Sequence, residues 1–120
     1  MTRYVDGFVL PLPKDRLADY EAIARKASAV WKEHGALEYS ECIGDDLGTE
    51  CSRSFTDMAG ATGDEVVIFA WAVFASREAR DAANAKIMAD PRLAGLMDPE
   101  RPIFDVKRMA HGGFREIVRA

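Results

Sequence analysis

Val66-Val67-Ile68-Phe69-Ala70-Trp71-Ala72-Val73-Phe74-Ala75 is a run of ten apolar residues bounded by Glu65 and Ser76. A helix that crosses a bilayer needs about 20 apolar residues, so the run is too short for that role. Its β-branched and aromatic content predicts a strand. Side chains of a strand alternate between two faces. Val66, Ile68, Ala70, Ala72 and Phe74 therefore share one face, and Val67, Phe69, Trp71, Val73 and Ala75 share the other. Both faces are apolar and both need cover. A chain of 120 residues can cover one face with its own helices. A second copy of the chain is expected to cover the other, giving a homodimer through sheet faces. Alternation alone leaves open which face meets the partner.

The length corresponds to one domain, residues 1–120, and a chain of that size buries enough surface to fold without a disulfide or a metal. Hydrophobic residues make up 48% and charged residues 30% of the chain, which excludes a disordered polypeptide. The net charge is −4 and the isoelectric point about 5.2, and the basic residues are scattered. Neither property suits binding to a phosphate backbone, so no nucleic-acid partner is expected. The N-terminal residues carry no apolar core of a secretory signal, and no membrane span is expected. A cytoplasmic location follows, in which Cys42 and Cys51 are expected to be free thiols. Their spacing matches no zinc motif, and no phosphate loop, nucleophile triad or dinucleotide fingerprint occurs. No cofactor is implied.

Around the apolar run the pattern changes with position. Thr2 to Leu10 is β-prone, and Pro11 and Pro13 close that strand and open a helix. From Lys14 the apolar residues Leu17, Tyr20, Ala24, Ala27, Trp31 and His34 recur at three- and four-residue intervals, with Ile23 and Val30 beside them. Gly35 is placed to cap this helix in a positive-φ conformation. Ala36 to Ile43 predicts a second strand, polar enough for a sheet edge. Gly44 to Asp64 predicts a long connection, with a short strand near Cys51 to Phe55. After the apolar strand, Ser76 is placed to cap a helix whose buried stripe is Ala79, Ala82, Ala83, Ile87 and Met88. Asp90-Pro91 ends it, a helical turn is expected over Leu93 to Met97, and Val106 to Val118 predicts a last strand broken at Gly112-Gly113. The order β-α-β-β-α-β predicts an α+β fold, a ferredoxin-like antiparallel sheet with both helices on one face. Its first and third strands are central.

Four stretches carry a resemblance: Tyr4-Val5-Asp6-Gly7-Phe8-Val9-Leu10-Pro11; Trp31-Lys32-Glu33-His34-Gly35-Ala36-Leu37-Glu38-Tyr39; Arg80 to Arg92; and Lys107-Arg108-Met109 with Gly112-Gly113-Phe114. Together they resemble the YbaA-like family of bacterial proteins of unknown function (DUF1428), similar in fold to the dimeric α/β-barrel superfamily. That superfamily includes cofactor-independent quinone-forming monooxygenases, small-molecule isomerases and stress-response proteins. The resemblance implies the dimeric barrel and no particular reaction. Sequences of this kind often carry an aromatic residue before Gly112; His111 departs from that and is read as a surface or dimer-edge residue.

Asp6 interrupts a strand that should be central, so its carboxylate must be paired or face a solvent-filled cavity. Arg108, on the neighbouring last strand, is the expected partner, either as an ion pair that fixes register or as part of a pocket. His34 has two readings, a proton shuttle at a pocket mouth or a cation at a helix end beside Gly35. Trp31, Trp71 and Tyr39 can line a flat pocket for an aromatic ligand or fill the core. Asn84 and Lys86 cannot both face the sheet, and solvent is the expected place for them. Glu38, Glu41, Asp45, Asp46 and Glu50 lack the spacing of a calcium loop and read as a solvated face. Two functional readings follow. In one, each subunit binds a small aromatic or quinoid molecule between sheet and helices, lined by Asp6, His34, Tyr39, Trp71 and Arg108, and acts as a cofactor-independent oxygenase or isomerase. In the other, the chain is a non-catalytic structural or protein-interaction module whose 44–64 loop meets a partner.

Overall fold

A computed structural model describes residues 2–96 and 98–120. Its strands are β1 (Tyr4–Pro13), β2 (Glu38–Ile43), β3 (Glu65–Phe74) and β4 (Ala110–Arg115). Its helices are α1 (Leu17–Glu33), α2 (Phe55–Ala59), α3 (Arg77–Ala89) and α4 (Pro91–Ala94), with 3₁₀ turns at Lys14–Arg16 and Val106–Arg108. The four strands form one antiparallel sheet in the order β2-β3-β1-β4. The apolar run is thus central beside β1, paired with it from Tyr4 opposite Phe74 to Pro13 opposite Glu65. This is the ferredoxin-like α+β arrangement, with β2 at an edge as its polar sequence requires.

Pro13 precedes the 3₁₀ turn, and α1 then turns its expected stripe inward, with Tyr20 and Val30 buried. Asp15, Asp19, Glu21, Arg25, Lys32 and Glu33 are all exposed. The helix ends where Gly35 takes a φ of 121°, a value that side-chain-bearing residues rarely adopt. The Ser76 hydroxyl accepts a 3.1 Å bond from the Ala79 amide at the start of α3. Only Ala83 and Ile87 of α3 are buried, while Ala82 and Met88 are exposed. The inner side of this helix is rotated from the expected stripe and includes the half-buried Arg80 and Asn84.

Three segments differ from expectation. Residues 51–55 form no strand; the Ser54 hydroxyl accepts from the Asp57 amide and Gly60 stops the chain at φ 66°, which defines α2. A cap and a stop six residues apart outweigh the β-propensity of one phenylalanine. The last strand is confined to Ala110–Arg115, because the Asp105 carboxylate caps the turn at Val106–Arg108 by accepting from the Lys107 amide. Asp90 ends α3 and also caps α4, accepting from the Arg92 amide. The turn expected over residues 93–97 is therefore shifted earlier, and its last residue, Met97, lies outside the described residues.

Helices α1 and α3 lie on the Val66–Ile68–Ala70–Ala72–Phe74 face, where two core clusters form. One joins Val30, Ala36, Ala72, Phe74, Ala83 and Ile87. The other joins Leu10, Leu12, Tyr20, Ile68 and Ile103. The opposite face carries Val67, Phe69, Trp71 and Val73; α2 contacts β1 and β3 there, and Phe55 meets Phe69 with ring centroids 5.9 Å apart. Phe74 is fully buried. Phe74→Ala is expected to cost about 3–5 kcal/mol of stability, as large-to-small core changes do, measurable by urea unfolding.

Candidate functional site

Pairing across the sheet builds two neighbouring rows on the helix side. One reads Glu41, Ala70, Phe8, His111, and the next Tyr39, Ala72, Asp6, Gly113. Both have alanine on β3, and α1 presents Ala24 and Ala27 above them. These short side chains leave a gap between the two core clusters. The gap is a cavity of about 280 Å³ lined chiefly by Tyr20, Trp31, Tyr39, Phe104, Ala27 and Glu41. Among the described lining residues Glu41 alone is charged.

Glu41 is held by two phenols. The Tyr20 hydroxyl donates to Oε1, and the Tyr39 hydroxyl donates to Oε2 at 2.7 Å. Burial pushes both tyrosines well above the usual phenol range, and the adjacent Glu41 carboxylate pushes them further. Trp31 packs against Tyr39 with ring centroids 5.7 Å apart, which fixes the aromatic wall.

A second chamber, about 310 Å³, adjoins the first, with Phe8 and Trp31 lining both. Asp6, Arg80, Asn84 and His111 supply its polar groups. Asp6 is the buried charged residue of the described sheet. Its carboxylate oxygen lies 3.4 Å from Arg80 Nε, a charge contact longer than a good hydrogen bond. Burial raises the Asp6 pKa above the ordinary aspartate value, against the opposing pull of Arg80, His111 and a hydrogen bond from Asn84. Arg80 is itself oriented by a 3.1 Å bond from Nη2 to the Tyr4 hydroxyl and by lying over the Tyr4 ring, 4.7 Å from its centroid. Gly113 permits this packing, since a Cβ there would collide with Arg80 and Tyr4.

The expected site residues are only partly brought together. Asp6 and Tyr39 face the two chambers. Arg108 does not pair with Asp6: it sits in the 3₁₀ turn, where Nη1 donates to Glu65 at 2.7 Å and Nη2 to the Gly60 carbonyl at 2.7 Å. The strand expected to carry it beside Asp6 begins two residues later, and Arg80 of α3 takes its place. Trp71 lies on the opposite face against Phe69, centroids 5.5 Å apart, because its parity is odd relative to Ala70 and Ala72. His34 lines neither chamber; its Nε2 lies 2.9 Å from Asp90 Oδ2, tying the end of α1 to the α3–α4 corner. Asn84, expected in solvent, faces Asp6, while Lys86 is exposed. His111, on an edge strand, is exposed yet reaches the Asp6 chamber.

Glu41, Tyr20, Arg80 and Asn84 are the site residues that sequence reasoning missed. A signal existed for two of them: Arg80 and Asn84 are four apart in α3 and so share a side of it with Ala83 and Ile87. Among the described residues no group of three His, Cys, Asp or Glu side chains is placed to hold a metal ion, and no helix is long and apolar enough to cross a membrane.

The family profile described as "Protein of unknown function (DUF1428)" matches residues 3–106. The chain belongs to this family. It is 41% identical over 116 residues to the uncharacterized protein YbaA of Escherichia coli, covering 97% of each chain, and shows the same figures against YbaA of Shigella flexneri. In fold it is similar to a NIPSNAP family protein of unknown function from Agrobacterium tumefaciens, with a TM-score of 0.57 and 17% identity over 96% of this chain and 87% of the other. It is also similar to Rv0793 from Mycobacterium tuberculosis, with a TM-score of 0.53 and 16% identity over 98% of each chain. Those two likenesses support the fold alone. Both chambers fall within the family match except at His111, Gly112, Gly113 and Met109.

Two electrostatic predictions follow from this geometry. Arg80→Met removes the cation that favours ionised Asp6, so the Asp6 carboxyl should titrate at a higher pH than in the native chain, as followed by carboxyl-carbon NMR. Glu65, bonded to Arg108, has its pKa lowered from 4.5 to about 2. A depressed carboxyl contributes stability that is present above its unfolded value and lost as pH falls through the folded one. Glu65→Gln should therefore flatten the loss of stability between pH 4.5 and about 2, measured as urea midpoints.

Proposed function

We propose that this protein is a homodimer that binds a small aromatic molecule between its sheet and helices, and that Asp6 moves a proton on the bound compound. The observation that carries this reading is the aromatic cavity left by Ala24, Ala27 and Ala70, opening beside a buried carboxyl of raised pKa. Cavities of this kind, mostly apolar with a few convergent polar groups, are the usual form of small-molecule sites. A ring resting on Phe8 and Trp31 touches both chambers. A buried carboxyl of raised pKa is a group suited to accept and return a proton. Proton removal from an electron-rich ring compound is the step shared by isomerisation and cofactor-independent oxygenation, and Arg80 is placed to stabilise the negative charge that develops.

The assembly half of the reading rests on the opposite face of the sheet. Phe69, Phe55, Met58 and Phe114 are 42%, 44%, 46% and 63% exposed there, around a groove of about 350 Å³ floored by Gly7, Val9 and Gly112. A second copy placed sheet to sheet covers these groups with their own counterparts, as a two-fold contact allows. This assigns the Val67–Phe69–Trp71–Val73 side of β3 to the partner.

Native mass spectrometry of the purified chain should give the dimer mass, and Phe69→Asp with Phe114→Asp should give the monomer. Small molecules released on denaturing the purified protein should include an aromatic compound. Ala27→Leu, which fills the cavity while leaving α1 intact, should abolish its retention. A native chain that is monomeric, or retention unchanged in the filled cavity, overturns the corresponding half of the reading.

A further inference from the structure

We propose that the compound bound in the cavity is an uncharged aromatic hydrogen-bond donor, a phenol or arylamine, held by Glu41, and not an aryl carboxylate or a quinone. This rests on the reading that the cavity holds a small aromatic molecule, and it names the chemical class. Of the residues lining the 280 Å³ space, Glu41 alone is charged, and no lysine, arginine or histidine is among them. An anion entering meets the Glu41 charge with no opposite charge to offset it, inside an apolar wall that screens poorly.

The free capacity of Glu41 points the same way. A carboxylate accepts about four hydrogen bonds, two at each oxygen. Tyr20 occupies one site on Oε1 and Tyr39 one site on Oε2, so acceptor sites remain while both tyrosine protons are already committed. A quinone brings only acceptors to this end of the cavity. A phenol or arylamine brings the donor that a carboxylate lacks, and its ring packs among the aromatic neighbours Trp31, Tyr39 and Phe104. Space is sufficient, since a cavity of about 150 Å³ holds benzene and this one is nearly twice that.

Tyr20 and Tyr39 show what the site does to a phenol. Both are held protonated, by burial first and then by the same carboxylate. A ligand phenol bound at Glu41 meets the same surroundings and keeps its proton. The Glu41 end is therefore an anchor, and proton movement belongs to the Asp6 end of the paired chambers.

The test is a matched series of two-ring probes, naphthol, naphthylamine, naphthoate and naphthoquinone, titrated into the native dimer and into Glu41→Gln by calorimetry. Naphthol and naphthylamine should bind at least about tenfold tighter than naphthoate and naphthoquinone, the discrimination a charge-assisted hydrogen bond supplies. Glu41→Gln should collapse that preference, with naphthoate gaining. Equal or tighter binding of naphthoate or naphthoquinone to the native chain overturns the assignment, whether or not the variant folds, and leaves the small-molecule reading standing. A preference that survives in Glu41→Gln also overturns it. Binding by none of the four probes removes both this assignment and the reading beneath it.

Discussion

Helix α1 is anchored to the sheet at its two ends, and the short side chains of its middle leave a gap over the sheet. Near its start Tyr20 joins Leu10, Leu12 and Ile68, and near its end Val30 joins Ala72 and Phe74. Between them the facing positions are Ala24 and Ala27 on the helix and Ala70 on β3, which are too short to close the space. The large residues at either end hold the helix at a fixed height, so the gap cannot collapse without losing contacts worth about 2–5 kcal/mol for each buried large side chain. Cavity, wall and anchor all depend on this spacing. A longer side chain at any of the three alanines adds contact area and removes the chamber.

Strand parity then decides which chemistry the gap meets. Glu41 and Asp6 lie on adjacent rows of the helix-side face, at β2 and β1, separated by the alanines of β3. The two carboxylates have different surroundings. Glu41 is satisfied by two hydroxyl donors, whereas Asp6 has a cation at 3.4 Å and an amide from Asn84. Burial raises the Asp6 pKa, and the Arg80 guanidinium opposes that shift only in part. In the proposed reading these two environments divide the roles, Glu41 holding the ligand and Asp6 transferring the proton.

Much of the frame was legible because it depends on local patterns. The apolar run of residues 66–75, the stripe from Leu17 to His34, the Gly35 stop and the Ser76 cap are each set by neighbours within a few residues, and each lies where those neighbours require. The central position of β1 and β3 followed from the β-α-β-β-α-β order. The site was less legible because its pairs are distant in sequence. Tyr20 meets Glu41 across 21 positions and Arg80 meets Asp6 across 74, and neither partner carries a mark of the other. Arg108 looked the better partner for Asp6 only while the last strand was thought to begin at Val106. The Asp105 cap shortens that strand and hands Arg108 to Glu65. The strand expected near Cys51 failed for the same kind of reason, a capping serine and a stopping glycine that outweigh propensity.

The sheet separates two surfaces that differ in every physical respect. On one side are chambers with carboxylates and phenols; on the other are Phe69, Phe114 and the small helix α2, with only the polar edge of β2 for contrast. Because successive residues point to opposite sides, Phe69 faces outward while Ile68 and Ala70 face the core and the cavity. Gly112 and Gly113 repeat the division on β4. Gly112 borders the apolar groove, and Gly113 lies beneath Arg80 and Tyr4, where no side chain fits. The proposed assembly face and the proposed ligand site therefore draw on alternate residues of the same strands. A change on one face reaches the other only by moving the backbone, which the ladders of β1 resist along ten pairs with β3 and six with β4. This double use explains why β3 is apolar from Val66 to Phe74, after Glu65 at its start: its even residues face the core and cavity and its odd residues form the outer face.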